Sequence, residues 1–290
     1  MSSPNEAPGP NTSPRDGDFE LVTLRNGSRA VRHLGHGEVM HPSVGPWQEA
    51  LRLYVEQPRL AERLRQPGPP LVILDVGLGA ATNAVAALSC ARELGAERRR
   101  PLELVSLEVD LAPLRLALAD PAGFPFLQPF RLAAEALMRD GLWEAEGIRW
   151  RLLLGNAIPH LEQALPPAEL VYFDPFSPAS NPEMWTEGVL SRVRAHCRQD
   201  GEGALLMTYS AATPTRVTLL LAGFYVGAGV STGTKGETTV AATRLEALEA
   251  PLGARWLERW RRSSSRAPHG AQLTPEVEAR LLEHPQWRSR

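Results

Sequence analysis

Two carboxylates stand where apolar, strand-like runs end in this chain. Asp75 and Asp174 each directly follow an apolar run of four residues, and Asp75 is followed by Gly77 and Gly79. The carboxyl ends of parallel strands meet at one edge of a sheet, which is where open α/β folds bind ligands. The spacing therefore predicts a nucleoside cofactor on the glycine turn, facing a substrate beside Asp174.

The glycine turn, residues 75–79 (DVGLG), indicates which cofactor binds. Its two glycines let the backbone bend sharply beneath a ligand at a helix N-terminus. A dinucleotide fold would have a third glycine at position 82, where this chain has Thr82. The charge of Asp75 would repel a pyrophosphate but attract the cationic methionine portion of S-adenosylmethionine. The turn therefore favours S-adenosylmethionine as the cofactor, bound at Asp75, Gly77 and Gly79.

The next two predicted strands also end in polar residues. Glu108 closes the first of them, at the point where an acid can accept hydrogen bonds from both ribose hydroxyls. The second is followed by Asn156 and Ala157, and the Asn156 amide can hydrogen-bond to an adenine edge. Each has a structural alternative, because acids and amides also cap the helix after a strand. We expect these residues to complete the cofactor site.

An alternation of strands and helices beginning at Leu71 positions these side chains. Seven strand-like runs are separated by stretches of helical periodicity, which is the rhythm of a doubly wound α/β fold. The prediction is a mostly parallel seven-stranded sheet with helices on both faces. Phe224–Ala228 and Thr238–Thr243 are expected to pair as an antiparallel edge, and residues 126–143 are expected to be a helical insertion.

Composition along the chain predicts one domain with appendages. Residues 1–18, rich in Pro, Gly, Ser and Asn, are expected to be a disordered tail. Residues 19–66 are expected to form a hairpin and helix extension, residues 67–245 the core, and residues 246–290 a helical tail.

Two tryptophans in the C-terminal tail lie at helical spacing. Trp256 and Trp260 share one face of the expected helix, with arginines beside them. Two interpretations stay open, since such a helix could bind RNA or dock on the domain.

Bulk composition excludes little and favours an ordinary intracellular protein. The formal net charge of -2 in 290 residues neither supports nor excludes a nucleic-acid partner. No apolar run approaches the roughly 20 residues of a membrane span, and the histidines lack the spacing of metal ligands. Cys90 and Cys197 are isolated thiols, which fits a reducing compartment. We expect a cytoplasmic protein without a metal site or membrane partner, and the sequence leaves its oligomeric state open.

Several of these segments share the pattern of one family. Residues 75–79 (DVGLG), Glu108, residues 155–157 (GNA) and above all residues 174–185 (DPFSPASNPEMW) resemble the methyltransferase part of the MnmC family. The likeness runs over residues 37–243, and its N-terminal part looks like the shorter, free-standing members.

Three positions depart from the family pattern. The glycine that follows the acid in the family is Pro175 here, its lysine in this segment is Ser180, and its basic pair before the last strand is reduced to Lys235-Gly236. Fewer cations mean weaker contact with phosphate, which bears on the substrate more than on the cofactor.

The resemblance implies a fold, a reaction and a partner. The fold is that of class I, Rossmann-like S-adenosylmethionine-dependent methyltransferases. The reaction is methyl transfer to the aminomethyl group of 5-aminomethyl-(2-thio)uridine at position 34 of tRNA, so the expected partner is tRNA through its anticodon loop. The flavin-dependent oxidase half of the bifunctional enzyme is expected to be absent.

For this reaction, we hypothesise roles for Asp174 and the residues around it. This carboxylate would orient the substrate amine and assist the loss of its proton. The uracil ring would be held by Asn181 and by the walls that Pro178, Met184 and Trp185 form, with Trp185 as a stacking surface. The structural alternatives are a turn-capping Asp174, an Asn181 that only shapes a turn, and a Trp185 in the core.

Two other functions compete with this one. A spermidine-synthase-like aminopropyltransferase also joins an amine to a carbon beside sulfonium, on a similar core. A non-catalytic cofactor-binding relative is suggested by Ser180 and the net acidity.

Overall fold

A computed structural model describes residues 15–40, 45–231 and 236–288. The first elements are three antiparallel strands that form a small sheet: β1 (Arg15–Asp16), β2 (Phe19–Thr23) and β3 (Arg29–His33). The predicted hairpin is thereby observed, with one change at its start. Arg15 and Asp16 pair with β2 instead of belonging to a disordered tail, and residues 1–14 lie outside the described residues.

The main sheet has eight strands within the described ranges, in the order β10-β11-β9-β8-β4-β5-β7-β6. Strands β4, β5, β7, β8 and β9 run parallel, whereas β6, β10 and β11 pair antiparallel with their neighbours. The predicted doubly wound α/β architecture is confirmed. The strand bounds are β4 Leu71–Val76, β5 Leu102–Glu108, β6 Leu142–Ala145, β7 Ile148–Leu154, β8 Leu170–Phe173, β9 Leu205–Thr208, β10 Tyr225–Gly229 and β11 Thr238–Ala242.

The prediction of seven strands was wrong by one. The additional strand, β6, comes from the end of the segment expected to be helical and forms a hairpin with β7. Its turn is Glu146-Gly147, and both residues have positive φ (53° and 71°). Turns of that geometry match the twist of paired strands but usually carry Asn or Gly. Because Glu146 is uncommon there, the hairpin had no clear sequence signal.

Helices cover both faces of this sheet. The alternation along β4 shows the two sides, since Leu71 and Ile73 enter one apolar core while Val72 and Leu74 enter the other. The bounds are α1 Pro46–Ala50, continued by a π-helical turn Leu51–Glu56, α2 Leu60–Arg65, α3 Thr82–Leu94, α4 Ala112–Ala119, α5 Arg131–Asp140, α6 Ala157–His160, α7 Glu187–Ala195, α8 Thr213–Leu221, α9 Ala254–Arg262 and α10 Pro275–Leu282.

The C-terminal segment is packed on the domain. Trp256 and Trp260 are only 5% and 1% exposed, and Trp256 stacks on Trp287 with ring centroids 6.1 Å apart. The Gln286 side chain accepts a hydrogen bond from the Val226 amide of β10 and donates one to its carbonyl. Both tryptophans therefore pack against the domain, as expected if the tail helix docks on it.

None of the helices in the described ranges combines the length and the apolar character of a membrane span.

Candidate functional site

A cavity of about 740 Å³ opens at the carboxyl ends of β4, β5 and β8. Its floor is the glycine turn, and one side is formed by Glu108 and residues 155–157. The opposite side is the loop of residues 174–185, called here the proline loop. The N-terminal segment around Glu38 forms the roof. The strand ends singled out from the sequence thus meet around one cavity, as predicted.

The glycine turn requires glycine for a steric reason. Gly77 has φ 92°, and a Cβ on it would lie 2.7 Å from the backbone oxygen of Asp174. Gly79 has φ 53° and donates its backbone N–H to Oε2 of Glu108 at 2.7 Å. Substitution at Gly77 would push the ends of β4 and β8 apart, so this glycine brings the two halves of the cavity together.

Glu108 is held at the cavity wall by the backbone. Its Oε1 accepts hydrogen bonds from the amides of Val109 and Asp110 at 2.7 and 3.1 Å, and its Oε2 accepts the one from Gly79. Burial raises the pKa of Glu108, and these three amides act in the opposite direction. The carboxylate is therefore fixed where a ribose ligand was expected.

Asn156 has the capping role that was named as its alternative. Its Oδ1 accepts a hydrogen bond from the Ile158 amide at 2.8 Å and caps α6. Asn156 and Ala157 also line the cavity, beside Glu108. The cap fixes the orientation of the Asn156 amide, so a place at an adenine edge remains a proposal.

Asp75 lies beneath the turn and does not line the cavity. It is 0% exposed, and its Oδ2 accepts a hydrogen bond from Ser106 Oγ at 2.7 Å. Burial, with smaller contributions from Asp174 and Glu108, raises its pKa to about 8 against the lowering effect of Ser106. Asp75 was expected to contact the cofactor directly, and its position beneath the turn does not allow this. Its buried, neutral carboxyl instead supports the turn from below.

Unsatisfied polar atoms lie around the turn, and one of them faces the cavity. Three of the buried side-chain oxygens that make no hydrogen bond among the described residues lie at or next to the turn: Asp75 Oδ1, Thr82 Oγ1 and Asn83 Oδ1. Buried polar atoms without partners are rare in proteins. Of the three residues, only Asn83 lines the cavity. Together with the glycine cradle and the Glu108 carboxylate, its free oxygen fits the ammonium and ribose groups of S-adenosylmethionine, which would be held by Gly79, Glu108 and Asn83.

The Asp174 carboxylate is oriented by a residue that sequence reasoning missed. Asn83, in the first turn of α3, donates from Nδ2 to Oδ2 of Asp174 at 2.7 Å. The Asp174 amide bonds to the Val76 carbonyl at 3.0 Å, which fixes its backbone against β4. Asn83 follows the glycine turn closely in sequence, and that proximity was the only available signal for it.

A second missed residue, Glu38, ties the roof to the proline loop. Its carboxylate accepts hydrogen bonds from the Ser177 amide (3.0 Å), the Ser177 hydroxyl (2.8 Å) and the Ser180 hydroxyl (2.6 Å). Ser180 occupies the position where the family pattern has lysine. No local pattern predicts this contact, because the partners are 139 and 142 residues apart.

The expected substrate residues of the proline loop divide into two groups. Asn181 and Met184 line the cavity, whereas Pro178 and Trp185 do not. Trp185 is 0% exposed, and its indole N–H donates to the Phe176 carbonyl at 2.8 Å. The core alternative is therefore correct for Trp185, and an indole buried in this way offers no face for stacking.

The cavity is strongly acidic. Burial, and then the nearby carboxylates, raise the pKa of Tyr209, so its phenol stays protonated. No lysine or arginine stands among the cavity-lining residues in the described ranges. The acids that line it are Glu38, Glu49, Glu108, Asp174 and Glu183. Such a wall attracts cations, which suits a sulfonium cofactor and an amine substrate.

Comparison with known proteins agrees with the fold and with the expected cofactor. The family model described as S-adenosyl-L-methionine-dependent methyltransferase matches residues 131–244. A bifunctional protein MnmC of tRNA 5-methylaminomethyl-2-thiouridine biosynthesis, from Methylibium petroleiphilum, is 33% identical over 213 residues, which are 71% of this chain and 32% of that protein. Its counterpart from Ralstonia nicotianae is 33% identical over 200 residues, 64% of this chain and 29% of that protein.

A solved structure extends the likeness over most of the chain. MnmC2 from Aquifex aeolicus is 26% identical and superposes with a TM-score of 0.71, covering 94% of this chain and 86% of that one. The chain spans about a third of the length of the curated MnmC relatives named above. It therefore belongs to the class I S-adenosyl-L-methionine-dependent methyltransferases and is related to the MnmC proteins.

Proposed function

We propose that this chain methylates the aminomethyl nitrogen of 5-aminomethyl-(2-thio)uridine at position 34 of tRNA. The observation that carries the proposal is the Asp174 carboxylate, which Asn83 holds at 2.7 Å inside a cavity lined by acids. The names of the relatives from Methylibium and Ralstonia support tRNA as the substrate. S-adenosylmethionine supplies an electrophilic methyl group when bound at the glycine turn.

The residues around Asp174 would prepare the amine for attack. A primary alkylamine has a pKa near 10.4, so presenting it in neutral form at pH 7 costs about 4.6 kcal/mol. The cavity acids favour binding of the ammonium form, and Asp174 is placed to accept its proton directly or through water. Asn83 prevents rotation of the carboxylate, so that the lone pair on nitrogen stays aligned with the methyl group.

The uracil ring would lie between Asn181 and Met184. Both line the cavity on the proline loop, and the loop is fixed from the roof by Glu38. Tyr209, protonated and beside Asp174, would donate a hydrogen bond to the substrate. Trp185 would contribute by supporting the loop from below through its hydrogen bond to Phe176.

The proposal is tested with tRNA that carries unmethylated aminomethyl groups. Purified protein should transfer one methyl group per modified uridine, detected by nucleoside mass spectrometry. Asp174→Asn should lower kcat by about 100-fold or more, the usual contribution of a general base, with cofactor affinity unchanged by calorimetry. Transfer at wild-type rate by this variant would remove Asp174 from the mechanism, and absence of transfer by the wild-type chain would refute the substrate.

The acidic cavity also favours a second candidate function. Polyamines are cations, and a cavity lined by Glu38, Glu49 and Glu183 beside Asp174 would bind them well. Incubation with decarboxylated S-adenosylmethionine and putrescine separates an aminopropyltransferase from the methyltransferase. Formation of spermidine, without methyl transfer to tRNA, would favour this second candidate.

A further inference from the structure

The proposed RNA substrate poses an electrostatic difficulty for this cavity. Acids line it without a compensating lysine or arginine among the described lining residues, and the net charge of the chain is -2. Phosphates dominate the affinity of proteins for nucleic acids, and they are repelled by such a wall. If the acceptor is RNA, as proposed above, its backbone must be held by cations outside the cavity.

Helix α9 carries a concentration of such cations. Its nine residues, ARWLERWRR, contain four arginines and one glutamate. Arg255, Arg259 and Arg262 follow at i, i+4 and i+7, so they form one stripe about 10 Å long. All three are exposed. The tryptophans of the same helix face inward, which fixes the helix to the domain and turns the stripe to solvent.

The guanidinium groups of this stripe form no ion pair with any residue that the structure describes. In the described part of the chain, Arg255 and Arg259 make no ion pair or hydrogen bond, and Arg262 donates one hydrogen bond to the Glu258 carbonyl at 3.3 Å. The buried Arg100 differs, because it forms an ion pair with Glu169 at 2.7 Å. The three exposed arginines are therefore available to a polyanion.

The chain that follows α9 leads back to the proline loop. The ring of His269 lies 6.0 Å from that of Trp185, centroid to centroid. His269 is seven residues after Arg262, and an extended chain over that number of residues spans at most about 25 Å. The stripe thus lies within roughly 30 Å of the cavity, a distance that about ten base pairs of an RNA stem would cover.

From these observations we infer that the arginine stripe of α9 binds the phosphate backbone of the RNA acceptor. RNA is favoured over a membrane surface, because an interfacial helix needs an exposed apolar face. The apolar face of α9, Trp256 and Trp260, is buried in the core. Specificity for the base stays with the cavity, and the stripe supplies affinity for the strand that carries it.

The test replaces the three arginines together in the full chain. We expect Arg255→Gln/Arg259→Gln/Arg262→Gln to bind an unmodified tRNA transcript at least tenfold more weakly at about 0.1 M salt. The slope of log affinity against log salt should fall by about 2 to 3. The corresponding triple lysine variant should keep both values. In methyl transfer, KM for tRNA should rise while kcat at saturation stays unchanged, because no member of the stripe lines the cavity.

A second triple variant controls for the loss of charge. It removes the same number of positive charges far from the stripe, near the β6 edge of the sheet: Arg98→Gln, Arg139→Gln and Arg149→Gln. This control should retain tRNA affinity and salt dependence. Equal losses in both variants, or no loss in either, would overturn the inference. So would a glutamine stripe variant that keeps tRNA affinity and instead loses binding to acidic phospholipid vesicles.

Failure of the proposed function gives a different result. A wild-type chain that binds tRNA through the stripe but methylates no aminomethyluridine would refute the substrate and leave the RNA surface supported. If the wild-type chain methylates tRNA and the glutamine stripe variant does so with the same KM, only the RNA surface is overturned.

Discussion

The buried carboxyl of Asp75 gives a quantitative prediction for stability. Its pKa is about 8 in the folded chain, against an ordinary value of 3.8. Between these values the unfolded chain loses the proton and the folded chain keeps it, so the free energy of unfolding falls as pH rises. The slope is at most about 1.4 kcal/mol per pH unit, and it disappears above pH 8. Asp75→Asn, with a neutral side chain of the same shape, should lack this contribution.

The assay is urea unfolding without cofactor, followed by circular dichroism from about pH 5.5 to 8.5. Relative to wild type, Asp75→Asn should gain about 2 kcal/mol between pH 6 and 7.5. Asp140→Asn, at a carboxylate that is 52% exposed, serves as the control and should track the wild-type curve. Parallel curves for wild type and Asp75→Asn would refute the raised pKa and with it the neutral carboxyl beneath the turn.

Three further predictions concern the contacts around the cavity. Gly77→Ala should lower the free energy of unfolding by about 2 to 4 kcal/mol, because the added Cβ meets the Asp174 carbonyl. Gly27→Ala, also at positive φ but in open space, should lower it by about 1 kcal/mol. Equal losses in urea titrations would contradict this. Glu38→Gln should loosen the proline loop and lower kcat about tenfold at saturating substrate, and an unchanged rate would exclude a positioning role. Asn83→Asp places a second carboxylate beside Asp174, so the pH–rate profile should move to higher pH; superimposable profiles would argue against the contact.

Local patterns were sufficient for the sheet and for the strand ends. The runs before Asp75 and Asp174 are continuous and apolar, as buried parallel strands require, and the run before Glu108 is apolar except at Glu103 and Ser106. Both the strands and the acids that end them could therefore be predicted. The hairpin at Glu146-Gly147 could not, because its turn lacks the residues that normally adopt positive φ.

Contacts between distant segments set the limit of sequence reasoning at the site. Glu38 reaches the proline loop only because the N-terminal sheet folds over the cavity, and no local periodicity encodes that approach. Trp185 was ambiguous for another reason. In a short helical turn an indole can point inward or outward, and here the Phe176 carbonyl and the apolar core stabilise the inward position.

The place of Asn83 at the start of α3 has a consequence for the kinetic scheme. In the proposed mechanism, Asn83 would contribute its free oxygen to the cofactor, while its amide nitrogen donates to Asp174 beside the substrate. A bound cofactor would restrain Asn83 and would thereby also orient the Asp174 carboxylate toward the substrate. Sequential addition, with the sulfonium compound preceding the nucleoside, follows from this shared residue, and initial-rate patterns with the demethylated product as inhibitor would distinguish it from random addition.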